Sequence, residues 1–111
     1  MRALDWSVEE RGQTVRLKLA GELDLSSAGD VEGELKRIED GSPEAVVLDL
    51  REVRFIDSTG LRVVITADER ARQGGWRFSI VRGPEAVQRV FRITRLEERL
   101  DFVDDGSASE T

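Results

Sequence analysis

Val53-Arg54-Phe55-Ile56-Asp57-Ser58-Thr59-Gly60-Leu61 is the run on which the fold of this chain turns. The apolar pair Phe55-Ile56 ends a strand, and Asp57-Ser58-Thr59-Gly60 interrupts it. Leu61, Val64 and Ile65 at once begin a helical spacing. The pattern predicts a strand-to-helix junction. Asp and Ser cap helices because their side-chain oxygens accept the first free backbone N–H groups, so Asp57 or Ser58 at the cap explains the junction on local grounds alone. The same place favours added negative charge, because free N–H groups and the helix dipole point there. A phosphate on Ser58 would bring about −1.5 to −2 charge to that surface. Gly60 would leave room for another backbone to approach closely.

Upstream, Leu4, Trp6 and Val8 alternate with Asp5, Ser7 and Glu9, the period of a half-buried strand. Arg11-Gly12-Gln13 is turn-like, and Val15, Leu17 and Leu19 alternate with Arg16 and Lys18, so the two strands are expected as an antiparallel hairpin. Gly21-Glu22-Leu23-Asp24 then leaves the sheet. Ser26 or Ser27 can cap a helix in which Val31, Leu35 and Ile38 recur at i, i+4 and i+7. Asp24 reads either as a turn or cap residue or as a partner contact. Gly29 and Gly33 each weaken the helix by about 1 kcal/mol relative to Ala, which leaves its boundary loose. Gly41-Ser42-Pro43 ends it, and the continuous apolar run Ala45-Val46-Val47-Leu48 suits a central strand covered on both faces. Asp49-Leu50-Arg51 forms the end of that strand, and Glu52-Val53-Arg54 carries the chain to the junction. Strand followed by helix on both sides of this point implies parallel, right-handed crossovers.

Downstream, Leu61 to Gln73 forms a helix with Leu61, Val64, Ile65 and Ala71 on or near one face, and Arg62, Asp68, Glu69, Arg70 and Arg72 largely on the other. Arg62, four residues after Ser58, could pair with a phosphate there or stand as a solvated charge. Gly74-Gly75 stops the helix. Trp76, Phe78 and Ile80 alternate with Arg77 and Ser79 in a fourth strand, and Gly83-Pro84 starts another helix with Pro at its first position. Val87, Val90 and Phe91 form its buried stripe, Leu96 and Leu100 suggest one more short helix, and Asp101-Phe102-Val103 reads as a brief edge strand. Residues 1–103 make one domain, and 104–111 read as an acidic, disordered tail. The sum is an α/β fold: a small mixed sheet of four to five strands with about four helices packed mainly on one face.

A chain of 111 residues holds one core. It has no Cys and no His, which removes thiol nucleophiles, His bases and the usual zinc ligand sets. A catalytic centre would need carboxylates and hydroxyls alone, and no pair stands at a suggestive spacing; the expectation is a protein that is not an enzyme and holds no cofactor or metal. A net charge of −6 argues against a nucleic-acid surface and toward a protein partner. No apolar run approaches the roughly 20 residues of a membrane span, and the N-terminus lacks a signal-peptide core, so the expected location is the cytoplasm without membrane insertion.

Asp57-Ser58-Thr59-Gly60-Leu61 resembles the phosphorylation motif of STAS-domain anti-sigma factor antagonists, also called anti-anti-sigma factors. Gly21-Glu22-Leu23-Asp24, directly after a strand and at a similar spacing upstream, is a second feature of that family, and the order of elements is similar over nearly the whole chain. The resemblance implies a phospho-switched binding module in stress-response or sporulation control. The unphosphorylated form binds an anti-sigma factor that is also a serine kinase, and so frees a sigma factor. That kinase phosphorylates Ser58, with Thr59 as the alternative acceptor, and a PP2C-type phosphatase reverses it; ATP belongs to the kinase. Asp24, Asp57, Ser58, Thr59, Gly60 and Arg62 are the implied partner contacts, and the resemblance tips Asp24 toward that role. The alternative is a constitutive STAS subunit of a signalling scaffold or a membrane transport complex, in which Ser58 is merely a cap.

Overall fold

The computed structural model describes residues 3–104. β1 (Leu4–Arg11) and β2 (Thr14–Leu23) form the expected antiparallel hairpin, with Leu4 opposite Gly21 and Arg11 opposite Thr14. β3 (Ala45–Ile56), β4 (Arg77–Val81) and β5 (Phe102–Val103) follow in parallel, and the sheet order is β1-β2-β3-β4-β5. The crossovers are α1 (Ala28–Asp40), α2 (Ser58–Gly74), and α3 (Glu85–Ile93) with a 3-10 turn at Leu96–Glu98. Of the roughly four helices expected, three are α-helical and the last is this turn.

Neighbouring parallel strands joined in sequence order by right-handed crossovers put every helix on one face of the sheet. Leu17, Leu19, Val46, Leu48, Leu50, Phe78 and Ile80 therefore share one core with Val31, Leu35 and Ile38 of α1, Val64, Ala67 and Ala71 of α2, and Val87 and Phe91 of α3. Each Leu or Ile wholly withdrawn from water contributes about 1.5–3 kcal/mol. Phe91 meets Phe102 edge-on at 5.0 Å between ring centroids, which seals the β5 side. Arg16, Lys18, Asp49 and Ser79 alternate with these core residues and face away from the helices.

The structure moves several boundaries. Gly21-Glu22-Leu23 does not leave the sheet: β2 runs on to Leu23, which is wholly buried opposite Ile56. β3 likewise does not end near Arg51 but is continuous to Ile56. It takes one extra residue between Asp49 and Glu52 against Lys18 and Ala20, and another between Val53 and Phe55 against Gly21 and Glu22. These bulges break the alternation, so a strict period-2 pattern shows no strand there. α2 begins at Ser58 rather than Leu61, and Val63 and Ala67 are buried on it whereas Ile65 is half-buried. Pro84 is the cap residue of α3, not its first helical residue, because its ψ of 163° is extended. Gly41 and Gly75 end α1 and α2. Asp104 pairs with Arg82 at 3.2 Å; the remainder of the expected acidic tail, from residue 105, lies outside the described residues.

Candidate functional site

The C-terminal ends of β2 and β3 bring the two motifs together. At Gly21 the chain adopts φ +121°, and Ala3 passes so close that a Cβ would lie 2.1 Å from its carbonyl oxygen. That carbonyl accepts the Glu22 N–H at 2.9 Å. The loop after Leu23 then folds on short hydrogen bonds. Asp24 Oδ1 accepts the Ser26 N–H at 3.0 Å and the Ser26 hydroxyl at 2.7 Å. Ser27 Oγ accepts the Asp24 N–H at 3.1 Å and donates to the Glu22 carbonyl at 2.8 Å. Ser27 stands at the start of α1 but makes no side-chain cap; its hydroxyl is buried in closing the loop. The Ser26 hydroxyl, with the loop N–H groups after it, holds the Asp24 carboxyl below its ordinary value against the opposing effect of burial, so Asp24 is a carboxylate at neutral pH.

Asp57 is the cap of α2. Its backbone is extended, and its Oδ1 accepts the Gly60 N–H at 2.9 Å. Its Oδ2 accepts the Leu25 N–H at 3.1 Å, so one carboxylate joins the β3–α2 junction to the β2–α1 loop. The Asp57 N–H in turn donates to the Leu23 carbonyl at 3.3 Å. Ser58, the first helical residue, is exposed, and its hydroxyl has no hydrogen-bond partner among the described residues. Thr59 is half-buried.

Gly60 is buried, and the close backbone approach expected there is made by this chain itself. A Cβ at Gly60 would lie 2.3 Å from the Leu23 carbonyl oxygen and 2.8 Å from the Ile56 side chain. Gly60 thus lets α2 start directly against β2 and β3. Arg62 is exposed one helical turn after Ser58, and its guanidinium has no ion-pair partner among the described residues. Arg54 lies 3.9 Å from Glu22 on the neighbouring strand.

Two side chains that periodicity does not mark as surface residues complete this end of the sheet. Leu25 is 77% exposed and Phe55 is 50% exposed. Leu25 lies between two polar residues in a loop, and Phe55 looks like one more core residue unless the bulge before it is known. The site therefore presents an unengaged hydroxyl at a helix N-terminus, two carboxylates held by N–H and O–H donors, and two exposed apolar side chains. Such a site offers a hydroxyl free to be esterified and an exposed apolar surface beside charged groups.

A family profile described as "Mlab, STAS domain" matches residues 6–104. The chain is 26% identical over 92 residues to the anti-sigma-F factor antagonist RsfB of Mycobacterium tuberculosis, covering 83% of this chain and 75% of that protein. The crystal structure of an anti-sigma factor antagonist from Mycobacterium paratuberculosis superposes with a TM-score of 0.81 at 25% identity, over 89% of this chain and 84% of that one. The Bacillus protein SpoIIAA in its unphosphorylated form gives 0.81 at 18% identity, over 96% and 94%, a likeness of fold. With the profile spanning both motifs and the sheet from Trp6 of β1 onward, this chain belongs to the STAS-domain family.

Proposed function

We propose that the chain is an anti-sigma factor antagonist working as a phospho-switched binding module. Its unphosphorylated form docks on an anti-sigma factor that is also a serine kinase and so frees a sigma factor. Ser58 Oγ then attacks the γ-phosphorus of ATP held by that kinase; the hydroxyl proton is lost, the phosphate ester forms and ADP leaves. A PP2C-type phosphatase hydrolyses the ester and restores the hydroxyl. The chain contributes the acceptor and the docking surface, and the catalysis belongs to its partners.

The observation that carries this reading is the exposed, unengaged Ser58 hydroxyl at the first turn of α2, with Asp57 doing the capping that would otherwise occupy it. Greater exposure favours Ser58 over Thr59 as the acceptor. The names of the similar mycobacterial proteins support the coarser part of the reading, an anti-sigma factor antagonist. A phosphate beside Asp57 adds like charge to a surface that must be desolvated on docking, which weakens the complex. Each 1.4 kcal/mol is about a factor of ten in affinity, so two or three such steps make a switch.

Site-resolved phosphorylation of the protein purified from its native cells, in rapid growth and under stress, tests the reading. A phosphate on Ser58 whose occupancy changes between the two conditions is expected, and Ser58→Ala should abolish it while leaving the fold intact. Stoichiometric labelling that persists in Ser58→Ala would move the acceptor to Thr59. No phosphate in any condition would replace this reading by that of a constitutive STAS subunit of a scaffold or transport complex.

A further inference from the structure

We propose that Asp57 is a positioning residue: beyond capping α2, its second carboxylate oxygen holds the 24–27 loop where that loop meets a protein partner. The inference rests on the reading above for the partner, whereas the latch itself does not depend on it.

Both oxygens of Asp57 are engaged by the chain's own backbone, Oδ1 by the Gly60 N–H and Oδ2 by the Leu25 N–H. A cap needs the first of these bonds only. The second reaches 32 residues back along the sequence. The other side-chain bonds of the loop, from Ser26 to Asp24 and from Ser27 to Asp24 and Glu22, close it on itself or on the end of β2. None of them reaches α2. Packing does not fix the middle of the loop either, since the Leu25 side chain is 77% exposed. Among the described residues the Leu25 N–H makes one hydrogen bond, to Asp57, within a turn that the Ser27 and Ala28 N–H groups close on the Asp24 carbonyl, while its side chain is presented to solvent. Asp57, the residue that precedes the acceptor Ser58, holds that backbone directly, so loop and acceptor keep one relative position.

Asp57→Asn tests this. Asn caps helices as well as Asp does. Its carbonyl oxygen can serve the Gly60 N–H, but its NH2 group cannot accept from Leu25. Asp57→Ser is the second variant: its hydroxyl caps but is too short to serve both donors. Amide exchange followed by NMR should rise at least tenfold at Leu25 in both variants, with Gly60, Leu48 and Val64 still protected. A purely structural role would instead move all of these amides together. In native cells at equal protein abundance, Ser58 phosphate occupancy should fall at least tenfold in both variants. It should fall in the same direction in Ser27→Ala, which loosens the same loop without touching Asp57.

Leu25 protection retained in both Asp57 variants overturns the latch. A Leu25 amide that opens with no change in Ser58 occupancy overturns its role toward the partner. A wild-type chain without phosphate in any condition overturns the proposed function and with it the partner half of this inference, while the exchange data still decide whether Asp57 holds the loop.

Discussion

Arg16 Nη1 lies 2.8 Å from Asp49 Oδ2, an ion pair that joins β2 to β3 on the sheet face away from the helices. Asp49 is wholly buried there, and Arg51 adds its backbone N–H at 3.1 Å and its guanidinium at 2.7 Å to the same carboxylate. This cluster sits where β3 takes its first extra residue, between Asp49 and Glu52. The carboxylate thus braces the bulge that re-phases β3 on its way to Ser58.

Asp49→Ala should cost about 2 kcal/mol of stability, because it removes the buried carboxylate that the Arg16 guanidinium, the Arg51 guanidinium and the Arg51 backbone N–H share. Both Arg side chains reach some solvent, 12% for Arg16 and 37% for Arg51, which keeps the loss below that of a fully buried orphan charge. The midpoint of urea unfolding measures it, and a midpoint unchanged from wild type would show that the bulge needs no brace.

The same carboxylate predicts an acid-sensitive fold. Burial by itself pushes Asp49 up, but the Arg51 side chain and N–H, the Arg51 charge and then Arg16 outweigh it and hold the carboxyl below its ordinary value. A group whose pKa is lower in the folded than in the unfolded chain stabilises fully above the unfolded value, about 3.9, and loses that contribution as pH falls through the folded value. Stability should therefore drop on acidification below about pH 4. Asp49→Asn should show a shallower drop over the same window, read as urea midpoints at a series of pH values.

Gly60→Ala should destabilise by about 1–3 kcal/mol or more, because a Cβ 2.3 Å from the Leu23 carbonyl oxygen forces α2 away from the sheet. Thermal unfolding gives the magnitude. An Ala variant as stable as wild type would mean that the start of α2 shifts freely.

Leu25→Ser should leave stability within about 0.5 kcal/mol, since that side chain faces water, and Phe55→Ser, half withdrawn from it, should cost about 1 kcal/mol. If they anchor the docked partner, each should weaken binding to the kinase by about tenfold or more. Ile93→Ser is the control: it is 69% exposed at the C-terminal end of α3, which the crossover places at the opposite end of the sheet. Equal loss of binding in all three variants would place the interface elsewhere.

Much of this was open to inspection in the chain. The alternation around Leu17, Leu19, Phe78 and Ile80, and the i, i+4, i+7 series Val31, Leu35, Ile38, each give a local period, and burial follows it. Asp57 as a cap is equally local, since the donor it serves is three residues away. The length of β3 was not legible, because two extra residues shift its phase and leave Arg54 and Phe55 both exposed in succession. Ser26 or Ser27 was expected as the cap of α1; Ser27 takes that position but its hydroxyl closes a loop instead, because its choice of partner depends on where Glu22 ends up.

The order of strands and helices, the junction at Asp57-Ser58 and the exclusion of His or Cys chemistry were therefore readable in the chain, since all depend on composition or on neighbours within a few residues. Only the folded chain shows that Leu25 and Asp57 share a hydrogen bond, that Gly60 serves the chain's own packing, and that Leu25 and Phe55 face solvent at the end of the sheet that carries Ser58. Each of these is a relation between segments about 30 residues apart, set by parallel strand pairing and its bulges, and no local period in the chain encodes such a register.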